Sequence, residues 1–169
     1  MKPIFQTIVD KDHGNCEQAV IASLLELELN DVPNFIEHQE KSWFTSVVGF
    51  LHSKGFDACC INRRRNESTE FLQRVARFDK GYKGCFYASV SSQTFKDVKH
   101  AVIVDENLKI IHDPNPNQKA LLLTPDDIEL IIVMNPMIIG KTGKLFTMEE
   151  WDNTTEEERD LNTHRANET

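Results

Sequence analysis

From Cys16 to Leu27 the chain runs through Ala19, Val20, Ala22, Ser23, Leu24 and Leu27 with no glycine or proline. A helix with so little polar surface is stable only where other elements bury it, so this segment reads as a largely buried helix. Asn15 is a good N-cap for it, and Pro33 ends any continuation.

The remaining elements are expected to supply the cover. Gln39 to Ser53 reads as a second helix, with Trp43, Phe44, Val47, Val48, Phe50 and Leu51 on a broad apolar face and Gly55 as its stop. Trp43 and Phe44 are read as core rather than as a substrate platform. Phe56 to Ile61 looks like a short strand. Glu67 to Asp79 carries Phe71, Leu72, Val75 and Phe78 at helical spacing, closed by Lys80-Gly81. The period then changes from helical to alternating. Gly84 to Val90, His100 to Val104, Leu108 to His112 and Leu130 to Met134 read as strands, and Thr124-Pro125-Asp126-Asp127 as a short helix start. Helices first and an antiparallel sheet second define an α+β class.

A length of 169 residues fits one domain, with 40% apolar residues and ten Phe to fill a core without disulfides. The domain is expected over 1–146, followed by an acidic tail over 147–169. From Thr147 onward eight acids face only Arg159 and Arg165, so the tail holds −6 of a net charge of −8. That balance argues against general nucleic-acid binding, which needs a clustered basic excess. Arg63-Arg64-Arg65 is the local exception, readable as an anion site or as a charged loop.

No run approaches a membrane span and the first residues do not resemble a secretory signal, so a cytoplasmic location is expected. The glycosylation patterns at Asn66 and Asn153 then carry no consequence. Cys59 and Cys60 are adjacent and alternate across a strand, which with Cys85 reads as free structural thiols. C-x-x-C pairs are absent, and neither a structural metal nor a cofactor is expected.

Cys16 stands apart from these. It falls in the first turn of a buried helix, where unpaired N–H groups and the positive dipole end favour a thiolate, the form that attacks a carbonyl carbon. The competing reading is a small buried hydrophobe. If Glu106 and Asn107 are the central residues of a two-residue hairpin turn, partners across it have numbers that sum to 213, which pairs His100 with Asp113. Side chains directly opposite lie on one face about 4.5 to 5.5 Å apart at Cβ, close enough for a carboxylate to hold an imidazole. A strand-end histidine and a turn aspartate before Pro114 are the alternative. Alternation turns His112 to the other face. A metal site from Cys16, His100, Asp113 and His13 has unhelpful spacing. Asp10 and Asp12 read as solvated loop acids.

The order Gln6, Gly14-Asn15-Cys16, His100-Ala101-Val102-Ile103-Val104 and His112-Asp113-Pro114 resembles the papain-like cysteine peptidase superfamily. With Asp followed by Pro it is most similar to the bacteriocin-leader-peptidase type. The stretches Gly14 to Ala19, Val32-Pro33-Asn34-Phe35 and His112 to Pro116 also look like uncharacterised proteins common in bacteriophages and bacteria. The similarity spans roughly residues 3 to 117. The resemblance implies a nucleophile helix packed on an antiparallel sheet, with Cys16 as nucleophile, His100 as base and Asp113 as its orienter. It also implies that the Gln6 amide contributes to the oxyanion hole, although ten residues separate it from Cys16.

The expected activity is a cysteine peptidase or amidase acting on a peptide or protein through a thioester. Two alternatives stand beside it. One is acyl transfer of the transglutaminase or deamidase kind; the other is a phage-encoded binding module that captures a host protein or a small ligand. In the latter, capping boxes at Thr147-x-x-Glu150 and Thr154-x-x-Glu157 offer short helices for a basic partner, unless the tail is only a solvated appendage.

Overall fold

A computed structural model describes residues 1–36, 42–62, 69–79, 81–117, 128–139, 145–147 and 153. Arg63 to Arg65, Thr124 to Asp127 and the tail's capping boxes, apart from Thr147, lie outside the described residues. Among the described residues no helix is long and apolar enough to cross a membrane.

The α-helices α1 (Cys16–Leu25), α2 (Trp43–Ser53) and α3 (Thr69–Asp79) pack on an antiparallel sheet. Its strands are β1 (Phe56–Asn62), β2 (Phe86–Ser91), β3 (Lys99–Val104), β4 (Ile110–His112), β5 (Leu130–Ile139) and β6 (Leu145–Thr147). Spatial order is β1-β5-β2-β3-β4, with β6 paired to the later part of β5, beyond the stretch that borders β2. The mixed α+β class is as expected. Strand β6 was not, and Thr147, the first residue assigned to the tail, is its last.

Both faces of the sheet are covered, and strand alternation shows how. Tyr87, Ala101, Ile103, Ile132 and Met134 join Val20, Ile21, Leu24, Val47 and Leu51 in one core on the α1 and α2 side. Phe86, Ala88, Val102, Val104, Ile131 and Val133 join Leu72 and Ala76 of α3 in a second. The near-total burial of α1 follows: residues Glu17 to Leu24 are all buried. It stops at Glu26, whose φ of 59° turns the chain left-handed, and Leu27 N donates back to Ala22 O. Helix α2 begins at Ser42, whose Oγ accepts from Thr45 N at 3.3 Å, and stops at Gly55 with φ 81°.

Three expectations need correction. On α3 the buried residues are Leu72 and Ala76, one helical turn apart, while Phe71 and Phe78 are 40% and 91% exposed among the described residues. Gln73 and Arg77 hydrogen-bond Asn107 and so fix which stripe of the helix meets the sheet. Asn15 occupies the N-cap position of α1, but its side chain makes no capping bond. The β3–β4 hairpin is not closed by two residues. Leu108 N donates to Asp105 O and Asp105 N to Lys109 O, which makes a three-residue loop with Leu108 left-handed at φ 63°. Asp105 Oδ1 stabilises it by accepting from Asn107 N and Lys109 N, both at 2.9 Å. The partners are therefore Val104↔Ile110 and, after a further irregularity, Ile103↔His112. His100 and Asp113 are not register partners.

Candidate active site

Asp113 nonetheless meets His100. It lies just past the end of β4, where the displaced register lets its carboxylate reach back to the start of β3, and His100 Nε2 donates to Asp113 Oδ1 at 2.8 Å. An ionised carboxylate only accepts, so Nε2 carries the proton and Nδ1 is left for a second partner. Cys16, at the start of α1, lies close enough to the ring to interact with it, and both line one cavity. Burial works against a charged His100. The hydrogen bond to Asp113 and the interactions with Cys16 and Asp113 outweigh it and hold the imidazole up at about 9. The ring is thus cationic at neutral pH.

Cys16, His100 and Gln6 line one cavity of about 80 Å³. Its walls are the turn carrying Asp10 and Lys11, Ile36, and the β2–β3 loop with Thr94, Phe95 and Val98. Asp10 does more than sit in solvent: its Oδ1 accepts from Asp12 N and His13 N, each at 2.8 Å, bonds that also depress its pKa. That turn presses on Gly14, where an added Cβ would come within 2.5 Å of Asp10 O.

Gln6 is buried, with its N–H on Pro114 O at 2.9 Å and Nε2 on Ile8 O at 3.0 Å. The Ile8 bond sets the orientation of the amide, leaves one Nε2 proton unassigned, and leaves Oε1 without a partner. Asn15 explains why Gln6 is near Cys16 at all. Instead of capping α1, its Oδ1 accepts from Thr7 N and Ile8 N at 3.1 and 2.9 Å, and its Nδ2 donates to Gln18 Oε1. Gln18 Nε2 continues to Leu29 O and Val32 O. The segment before the nucleophile is thereby stapled across the first turn of α1.

His112 is separate, as alternation predicts. Its Nε2 donates to Ile4 O at 2.9 Å, its ring meets Phe5 edge-on at 5.4 Å, and burial lowers its pKa. The other thiols differ from Cys16 in setting. Cys60 is half-buried and Cys85 buried, and burial raises the pKa of both. Cys59 departs from the apolar setting expected of it, being exposed on the edge strand, yet its pKa is also raised, by partial burial and then by Asp79 and Asp57. Among the described residues no group of three His, Cys, Asp or Glu is placed to hold a metal.

Two features were missed in the sequence. Glu17, directly after Cys16, is buried and accepts from Tyr87 Oη at 2.8 Å, and desolvation raises its carboxyl to about 7. The neighbouring Trp43 Nε1 works against that rise, although neither it nor Glu17 Oε2 completes a hydrogen bond. An acid inside an apolar helix is a visible signal of such a group. Asn115 donates its N–H to Asp113 Oδ1 at 2.8 Å, and Asp-Pro-Asn is readable as the Asx turn it forms. Comparison with protein-family models, curated proteins and solved structures finds no match to this chain.

Proposed function

We propose that this chain is a papain-like cysteine hydrolase that cleaves an amide bond of a peptide or protein, with Cys16 as nucleophile, His100 as general base and acid, and Asp113 as its orienter. The observation that carries the reading is an imidazole bonded through Nε2 to a buried carboxylate, with the Cys16 thiol beside it at the wall of one cavity. Cys16 Sγ, its proton already resting on the cationic His100, attacks the carbonyl carbon. The C–N bond then breaks as the imidazolium gives that proton to the departing amine, leaving a thioester on Sγ. Water, deprotonated by His100, attacks the thioester, and the acid leaves with the thiolate and the imidazolium restored. The N–H groups of the first turn of α1 and the unassigned Nε2 proton of Gln6 are the donors available to the oxyanion.

The test is alkylation with iodoacetamide at pH 6, located by mass spectrometry. Cys16 is expected to react ahead of Cys59, Cys60 and Cys85, and its reactivity to fall sharply in His100→Ala. An inert Cys16 would refute the reading and favour a binding module. Acyl transfer is separated from hydrolysis by adding a primary amine and weighing the product.

A further inference from the structure

We propose that Asn115 is a positioning residue that couples the β2–β3 wall of the cavity to the His100–Asp113 pair, with Thr94 as its counterpart on that wall. The inference rests on the hydrolase reading above.

Asp113 Oδ1 accepts two bonds at once, from His100 Nε2 and from Asn115 N, each at 2.8 Å. The carboxylate cannot rotate away from the backbone of Asn115 without also leaving the imidazole. Asn115 is only 7% exposed, and its side chain is used in both directions: Oδ1 accepts from Asn117 N at 3.0 Å, and Nδ2 donates to Thr94 Oγ1 at 3.5 Å. Thr94 belongs to a loop with its own frame. Ser92 N donates to Val98 O at 2.8 Å, and Ser92 Oγ accepts from Thr94 N and Phe95 N. Thr94, Phe95 and Val98 face the cavity as one wall. One buried residue therefore joins the wall a substrate touches to the oxygen that orients the base.

The bond to Thr94 is at the outer limit of hydrogen bonding, about 0.5 Å longer than usual. Closing of the wall on an occupant shortens it and fixes Asn115, and through it Asp113, more firmly. Catalytic hydrogen bonds are often long in the free enzyme and tighten in the complex.

The experiment measures the rate of Cys16 alkylation by iodoacetamide between pH 5 and 10 in wild type, Thr94→Val, Thr94→Ser, Asn115→Ala and the Thr94→Val/Asn115→Ala double variant, with thermal melts alongside. Thr94→Val and Asn115→Ala should each slow Cys16 at pH 6 by about threefold to tenfold, a fraction of what a lost orienting partner costs. The double variant should be no slower than the slower single, and Thr94→Ser, which keeps the hydroxyl, should match wild type. Thr94 is exposed, so Thr94→Val remains informative even if Asn115→Ala fails to fold. A selectively reactive wild-type Cys16 with an unchanged profile in Thr94→Val overturns the coupling and leaves the hydrolase reading intact. Additive effects in the double variant also overturn it. An inert wild-type Cys16 removes both.

Discussion

Asp113 and His112 are neighbours with opposite duties, and substitution should separate them. Asp113→Asn keeps the shape but replaces an acceptor of two hydrogen bonds by a group that can present its amide to His100, favouring the wrong tautomer. We expect kcat/KM on a peptide substrate to fall by at least ~10-fold, and by less than the ~10⁴-fold of the corresponding change in a serine-protease triad. The thiol of a cysteine enzyme leans less on the third residue. His112→Ala should act on stability, because the ring's bond to Ile4 O and its contact with Phe5 are lost: about 2 to 4 kcal/mol in urea denaturation, with kcat/KM nearly unchanged. A larger loss of chemistry in His112→Ala than in Asp113→Asn would mean that the site must be redrawn around His112. Glu17 is the third residue with a clear test. Glu17→Gln keeps an acceptor for Tyr87 Oη and removes a carboxyl held neutral only up to about 7, so at pH 8 it should stabilise the fold by ~3 kcal/mol at most.

At the scale of elements, the helix and strand periods were legible because burial imposes them, and the three residues of the proposed site were legible because chemistry restricts their types. Loop geometry was not. The choice between a two- and a three-residue hairpin rests on whether Leu108 accepts a left-handed backbone. Local sterics argue against that, at roughly 1 to 2 kcal/mol, but Leu108 is fully buried in the α3-side core, and that burial is worth about as much or more. Leu108→Gly is therefore expected to destabilise by about 1 to 3 kcal/mol although glycine suits the turn; a gain in stability would show that strain, not burial, dominates there. The Asn15–Gln18 staple was equally hidden, since a buried amide pair has no period and Asn before a helix reads as a cap. Gly14 is where these elements crowd. Gly14→Ala must push the Asp10 turn outward, and we expect it to slow Cys16 alkylation even in a variant that still melts cooperatively.

Across the whole molecule, two titrations act in the same direction. The folded chain holds a proton on Glu17 up to about 7 while the unfolded chain releases it near 4.5, so between those values folding binds the proton and stability falls as pH rises. His100 is raised from 6.5 to about 9, so its contribution is complete below 6.5 and is lost as pH climbs through 9. Urea midpoints at pH 5.5, 7.5 and 9.5 should decrease in that order, and a flat or rising series would show that neither group is held as described. The proposed site and the segment beside it tie distant parts of the chain: His112 bonds Ile4 across 108 positions, Gln6 N holds Pro114 O, and His100 lies beside Cys16. Contacts this far apart require the largest loops to close and form late. A nascent chain on the ribosome therefore has its thiol long before it has its base. Cys16 stays chemically ordinary until residues 100 to 115 have emerged and docked, so the hydrolase proposed here would be silent through the early part of its own synthesis.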